Sequence, residues 1–133
     1  MKRENIRKKL NSLFQQYPEI KLVYLFGSQA KGKKGPLSDY DFAIYIEVGD
    51  KRKVFEIRLQ LLGEISKILH TDKIDLIILN KVMAPELKYN IIKEGNLIFE
   101  RKLYKLLVEP KILNEYFDFY FLLMRHQLTR VRI

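Results

Sequence analysis

Apolar residues recur at helical spacing from Arg3 to Tyr17, at Ile6, Leu10, Leu13, Phe14 and Tyr17, and Pro18 stops the pattern. This predicts an amphipathic opening helix. Ile20 to Phe26 (IKLVYLF) is short, almost wholly apolar and rich in β-formers, which predicts a strand buried on both faces and ending at Gly27-Ser28. Gly32 to Ser38 (GKKGPLS) has the composition of a loop, and Tyr40 to Glu47 (YDFAIYIE) reads as a second strand with Gly49-Asp50 at its exit. From Lys51 to His70, Val54, Ile57, Leu61, Leu62, Ile65, Ile68 and Leu69 form one helical stripe, and a third strand is expected over Ile74 to Asn80 (IDLIILN). The order so far is α-β-β-α-β.

Beyond it, Ala84 to Glu94 predicts a short helix with Leu87, Ile91 and Ile92 inward and Gly95 as its stop, followed by a short edge strand over Asn96 to Glu100. Leu103 to about Arg125 reads as helical but broken near Pro110. Its run Phe119 to Met124 is apolar on every side. Such a helix is either a subunit or partner interface, or a last core helix with a few exposed aromatics.

The chain has 133 residues, 47% of them hydrophobic and 31% charged, which suits one domain with a single core and excludes a disordered or fibrous chain. It has no cysteine, so disulfide scaffolds, thiolate zinc sites and cysteine nucleophiles drop out, and a reducing cytoplasm is the expected location. No apolar stretch approaches the roughly 20 residues that span a bilayer, and the N-terminus lacks an apolar signal core. The formal net charge of +9 is uneven: +7 over residues 1–34, −2 over 35–75 and +4 over 76–133. An acidic island inside a basic chain is the distribution a metal-assisted phosphate site requires. The same basic surface is compatible with RNA or with an acidic protein face, and charge alone does not choose between them.

Three pieces carry the candidate chemistry: Gly27-Ser28 at the end of the first strand, Asp39-Tyr40-Asp41 at the start of the second, and Asp75 near the start of the third. Residues two apart on a strand share a face, so Asp39 and Asp41 can bracket one cation. Asp75 interrupts an apolar run, where a buried carboxylate is costly unless it has a partner. If the second and third strands are neighbours, the three carboxylates meet at one end of the sheet. Repulsion between a pair about 4 Å apart is then on the order of 4 kcal/mol at an effective dielectric of about 20, which a divalent cation removes. Hard oxygen ligands without His or Cys favour Mg²⁺ or Mn²⁺ over zinc. Glycine lets backbone approach phosphates, Ser28 offers a hydroxyl, and Lys31, Lys33 and Lys34 can screen remaining negative charge. Tyr40 and Tyr45 flank the acids and can stack on a base or simply pack.

Gly27-Ser28, ten residues, then Asp39-x-Asp41, with a later strand carrying Asp75, resembles the GS-x10-DxD signature of the nucleotidyltransferase superfamily that includes DNA polymerase β. The stretch LFGSQAKGKKGPLSDYDFAIYIE and the short length are similar to the minimal nucleotidyltransferases, which often stand beside a HEPN-domain partner as MntA-type antitoxins of HEPN/MNT toxin–antitoxin systems. The likeness covers about residues 5–100. It implies an α+β fold, an α/β sandwich with helices packed on a mixed sheet, forming a single nucleotidyltransferase domain over 1–133 with 103–133 as a helical extension. By the same likeness Asp39, Asp41 and Asp75 are the metal ligands and catalytic acids, Asp75 also helping to activate the acceptor hydroxyl. Gly27, Ser28 and Lys31 would hold the nucleoside triphosphate. One departure is Lys31, where many members carry Arg; lysine keeps the charge and loses the bidentate fork.

The implied reaction is in-line displacement at the α-phosphate of ATP assisted by two Mg²⁺ ions, with Mn²⁺ as a substitute, and with pyrophosphate leaving. The implied acceptor is a tyrosine hydroxyl on a HEPN RNase toxin, bound through the C-terminal helix and silenced by AMP. Two rivals stay open. One keeps the chemistry and changes the acceptor to a small hydroxylated molecule, as in aminoglycoside nucleotidyltransferases, for which residues 101–133 are a thin second domain. The other is an antitoxin that only masks its toxin sterically.

Overall fold

The structure, a computed structural model, describes residues 3–27 and 40–131. Helix α1 (Arg3–Gln15) leads into strand β1 (Ile20–Phe26); strand β2 (Tyr40–Ile46), helix α2 (Lys51–Leu69) and strand β3 (Ile74–Ile78) follow. A 3₁₀ turn (Leu79–Lys81), helix α3 (Pro85–Glu94), strand β4 (Asn96–Glu100) and helix α4 (Tyr104–Val131) complete the chain. The four strands form one mixed sheet in the order β3-β2-β1-β4, with β1 antiparallel to β2 and β4, and β2 parallel to β3. The second and third strands are therefore neighbours, as the candidate site requires.

Strand alternation sorts the sheet into two faces. Val23, Leu25, Phe42, Ile44 and Leu76 pack against Ile6, Leu10 and Phe14 of α1 and Val54, Ile57, Leu61 and Ile65 of α2. This upper layer is the stripe read from the helical spacing. Leu22, Tyr24 and Ala43 face the other way, onto Ile91 of α3 and Val108 and Ile112 of α4. Asp50 caps α2, its Oδ1 accepting from Arg52 N at 2.9 Å, and His70 closes that helix with a left-handed φ of 56°. The sheet's outer edges are sealed by arginines. Arg7 donates to the carbonyls of Leu97 and Ile98 on β4, and Arg58 to Leu76 on β3 at 2.9 Å.

Two expectations are corrected. The third strand ends at Ile78 and not at Asn80. The chain turns away there because the Asn80 side chain takes over the pairing: its amide donates to Ile46 O at 2.7 Å and its Oδ1 accepts from Ile46 N at 3.1 Å. The last helix is not broken at Pro110 but runs through it to Val131. An interior proline costs about 3 kcal/mol. Here Pro110 is exposed while Val108 and Ile112 on either side are buried, and Glu109 accepts a hydrogen bond from Tyr24 Oη at 2.5 Å. Burial of two aliphatic side chains, about 1.5–3 kcal/mol each, offsets the defect. Ile112 is the last buried side chain described on α4, and the helix continues about 28 Å beyond it.

Candidate active site

The lower face of the sheet is built in rows. Strand pairing aligns Phe26 with Asp41 and Asp41 with Asp75, so these three residues form one row across β1, β2 and β3. The next row is Tyr24, Ala43 and Ile77. Helix α3 covers that second row through Ile91, and the first lies at the sheet's end. Register partners on adjacent strands share a face about 4.8 Å apart, so the carboxylates of Asp41 and Asp75 are brought side by side by backbone pairing alone.

Gly27 completes the row's β1 end. Its φ of +78° is left-handed, and a Cβ built on it would stand 2.2 Å from Asp41 Oδ2 and 3.1 Å from Asp41 Cγ. The Asp41 carboxylate thus lies directly against the Gly27 backbone, in space that any side chain would fill. Asp41 is half-buried, with Gly27 on one flank and Asp75 on the other. Two neighbouring hard-oxygen donors with a bare backbone beside them suit a divalent cation and a phosphate.

Asp75 itself corrects one premise. The sequence suggests a carboxylate buried within an apolar run, whereas Asp75 is exposed. Strand β3 is the outermost strand on its side, so only alternate residues, Leu76 and Ile78, are buried. Of the two roles open to Tyr40, the structure shows packing: it is buried on the upper face beside Phe42, at 6.4 Å between ring centroids, away from the acids' face. Tyr45 is on the acids' face but four residues further along, beyond Ala43, where burial and the Glu47 carboxylate push its hydroxyl up.

Asp39, Ser28 and Lys31 lie outside the described residues, as do Lys33 and Lys34. Among the described residues no three His, Asp or Glu side chains converge on one point; Asp41 and Asp75 are two of the three expected ligands. A contribution the sequence did not reveal comes from α3. Leu87, Asn90, Ile91 and Glu94, spaced at i, i+3, i+4 and i+7, line with Phe26 and Gly27 a cleft of about 130 Å³. Leu87, expected inward, is 39% exposed at its rim. The mixed polar and apolar stripe was its only trace in the sequence.

The apolar run of α4 is not core. Phe121 and Leu122 are 66% and 62% exposed, and Phe117, Tyr120, Leu123 and Met124 are exposed as well. No helix among the described residues is long and apolar enough to cross a membrane.

A family model described as polymerase beta, nucleotidyltransferase matches residues 8–103. A protein adenylyltransferase MntA of Aphanizomenon flos-aquae is 31% identical over 99 residues, 66% of this chain and 62% of the relative's length. Among solved structures, a toxin–antitoxin crystal structure with AMP-PNP superposes with a TM-score of 0.67 at 21% identity, covering 100% of both chains. A tri-AMPylated Shewanella oneidensis HEPN toxin in complex with an MNT antitoxin gives 0.68 at 19% identity, covering 99% of this chain and 100% of that one. At these identities the solved structures establish the fold.

Proposed function

Since the chain belongs to the polymerase β nucleotidyltransferase family, we propose that it is an antitoxin adenylyltransferase that transfers AMP from ATP to a tyrosine hydroxyl of a HEPN-domain toxin. The observation that carries the chemistry is the single row of Asp41 and Asp75 with the Gly27 backbone folded against the Asp41 carboxylate. The acceptor is argued from the adenylyltransferase relative and the toxin–antitoxin folds.

Asp39, Asp41 and Asp75 would hold the metal, two Mg²⁺ ions or Mn²⁺ in their place, which when bound supplies Lewis acidity at the α-phosphate and neutralises the triphosphate. The remaining work is positioning. Gly27 admits the phosphates to the backbone, Ser28 donates a hydroxyl, and Lys31 contributes charge without a bidentate fork. Asp75, exposed on the outermost strand, is open to a protein acceptor and takes the proton of the attacking hydroxyl as pyrophosphate leaves. The single domain over 1–133 ends in the extension 103–133, whose exposed apolar helix is the docking surface for the toxin.

The test is transfer itself. The pure chain, Mg²⁺, labelled ATP and a HEPN-domain toxin from the same organism are expected to yield label on toxin tyrosine. A tight complex without label would support steric masking instead, a reading favoured by the same exposed α4 residues.

A further inference from the structure

The lower face of the sheet holds a second cavity, of about 160 Å³, at the end away from the acids, where Tyr45 of β2 and the 3₁₀ turn meet α3 and α4. Its floor is apolar, from Leu79, Val108 and Ile112, all buried in the lower core. Its walls carry two cations and one anion: Lys88 of α3 and Lys111 of α4 against Glu115 of α4.

The two cations are not equivalent. The Lys88 side chain is only 14% exposed and needs a counter-ion, which Glu115 supplies as an ion pair between α3 and α4. Lys111, one turn before Glu115 and exposed, has no ion pair for its ammonium among the described residues. The half-buried Tyr45 hydroxyl likewise makes no hydrogen bond among them. The neighbouring acids are committed elsewhere: Glu47 accepts from Tyr104 Oη at 2.8 Å and Glu109 from Tyr24 Oη. Asn80, which also borders the cavity, spends its amide on Ile46. An ammonium and a phenol O–H are therefore unspent donors above an apolar floor, and the group that satisfies both is a carboxylate on a short apolar stem.

The place of the cavity says where that carboxylate comes from. Lys111, Glu115 and Leu122 stand at i, i+4 and i+11, along one flank of α4. Leu122 is 62% exposed and belongs to the apolar docking surface. It lies about 10 Å along the helix from Glu115, so a protein covering Leu122 also passes the cavity's mouth. We infer that the cavity anchors one aspartate or glutamate side chain of the protein docked along α4. Its oxygens accept from Lys111 Nζ and Tyr45 Oη, and its stem rests on Val108 and Ile112. The inference rests on the toxin-docking reading above and adds a charge requirement to it: the docked face presents an acid beside its apolar patch.

The experiment is calorimetric binding of a HEPN-domain toxin from the same organism to the full chain, as wild type, Lys111→Met, Lys111→Glu and Leu122→Asp, with sodium succinate added to the chain alone as the free-carboxylate arm. Lys111 and Leu122 are exposed, so all variants are expected to melt at the wild-type temperature. Lys111→Met should weaken the complex about tenfold or more and Lys111→Glu further, as for loss of one partner of an interfacial charge pair. Changing one toxin Asp or Glu to Lys should recover the affinity lost in Lys111→Glu. The inference is overturned if both Lys111 variants bind the toxin as wild type does; a loss confined to Leu122→Asp would then leave the docking reading standing. It is also overturned if no acid-to-lysine change in the toxin recovers Lys111→Glu, or if the Lys111 variants lose succinate and keep the toxin, which would make the cavity a site for a free carboxylate. A wild-type chain that does not bind the toxin would overturn docking along α4 as well.

Discussion

The two faces of one sheet are made by alternate residues of the same strands, yet they do opposite things. On the upper face Tyr40, Phe42, Ile44 and Ile46 of β2 are all buried under α1 and α2. On the lower face the intervening residues are Asp41, Ala43 and Tyr45: an acid at the open end, a small residue under α3, and a half-buried phenol beyond it. The upper face holds the strands in register, and that register is what brings Asp41 beside Asp75. The upper face is apolar along the whole of β2, whereas the lower face is packed under α3 and α4 from its second row onward and carries charge only at its open end. Breaking the upper face should abolish both stability and chemistry, whereas breaking the acids at the lower face's open end should abolish chemistry alone.

The largest effect is expected on the upper face. Phe42 is fully buried, and Phe42→Ala should lower the unfolding free energy by about 3–5 kcal/mol, read from a denaturant midpoint. Asp41→Asn or Asp75→Asn should reduce transfer by at least about 10²-fold, comparable to losing a group that stabilises developing charge. Their melting temperature should be unchanged or higher, because like-charge repulsion is relieved; a fall equal to that of Phe42→Ala would erase the distinction between the faces. Gly27→Ala lies between the two. Its left-handed φ costs about 1–2 kcal/mol in any L-residue, and the new methyl must displace the Asp41 carboxylate. A displacement of that order should cost about 10²-fold in kcat/KM.

The smallest effect concerns Tyr24, the buried phenol of the lower face's second row. Burial raises its hydroxyl pKa above the ordinary 10.0, and the hydrogen bond to Glu109 raises it further. A folded-state pKa raised above the unfolded one gives stability that is complete below pH 10 and is lost as pH rises above it. Wild type should therefore lose up to about 1.4 kcal/mol per pH unit through this group above pH 10. Tyr24→Phe should flatten that alkaline slope and cost about 1 kcal/mol at neutral pH, checked by chemical denaturation at pH 8 and 11. An unchanged slope would mean that the Tyr24–Glu109 bond does not tie α4 to the sheet in solution.

Much of this was readable in the chain because the signals were periodic. The stripes Ile6–Leu10–Phe14 and Val54–Ile57–Leu61–Ile65 gave their helices within a residue or two, and Asn96–Glu100 is the fourth strand as expected. The Gly-Ser and Asp-x-Asp spacing pointed to the chemistry, and the family match over residues 8–103 bears out that recognition. Local composition misleads where a distant partner decides. Asp75 looked buried because its neighbours are apolar, but it sits near the start of an outermost strand, where it is exposed while Ile77 two residues on packs against the lower core. Pro110 looked like a break because propensity counts the lost hydrogen bond and not the burial of Val108 and Ile112. Asn80 looked like strand because its side chain imitates one.

By itself, the sequence determined which segments are helix and strand and which residue types are available for chemistry, since hydrophobic period and residue spacing are properties of a few neighbouring positions. Only the tertiary structure decided that β2 and β3 run parallel with Asp41 opposite Asp75, that the Asp41 carboxylate rests on Gly27, and that α3 presents Asn90 and Glu94 beside them. Each of these depends on residues 14 or more positions apart. Their proximity follows from burial of both faces of the sheet, a free energy summed over the whole core that no local pattern encodes.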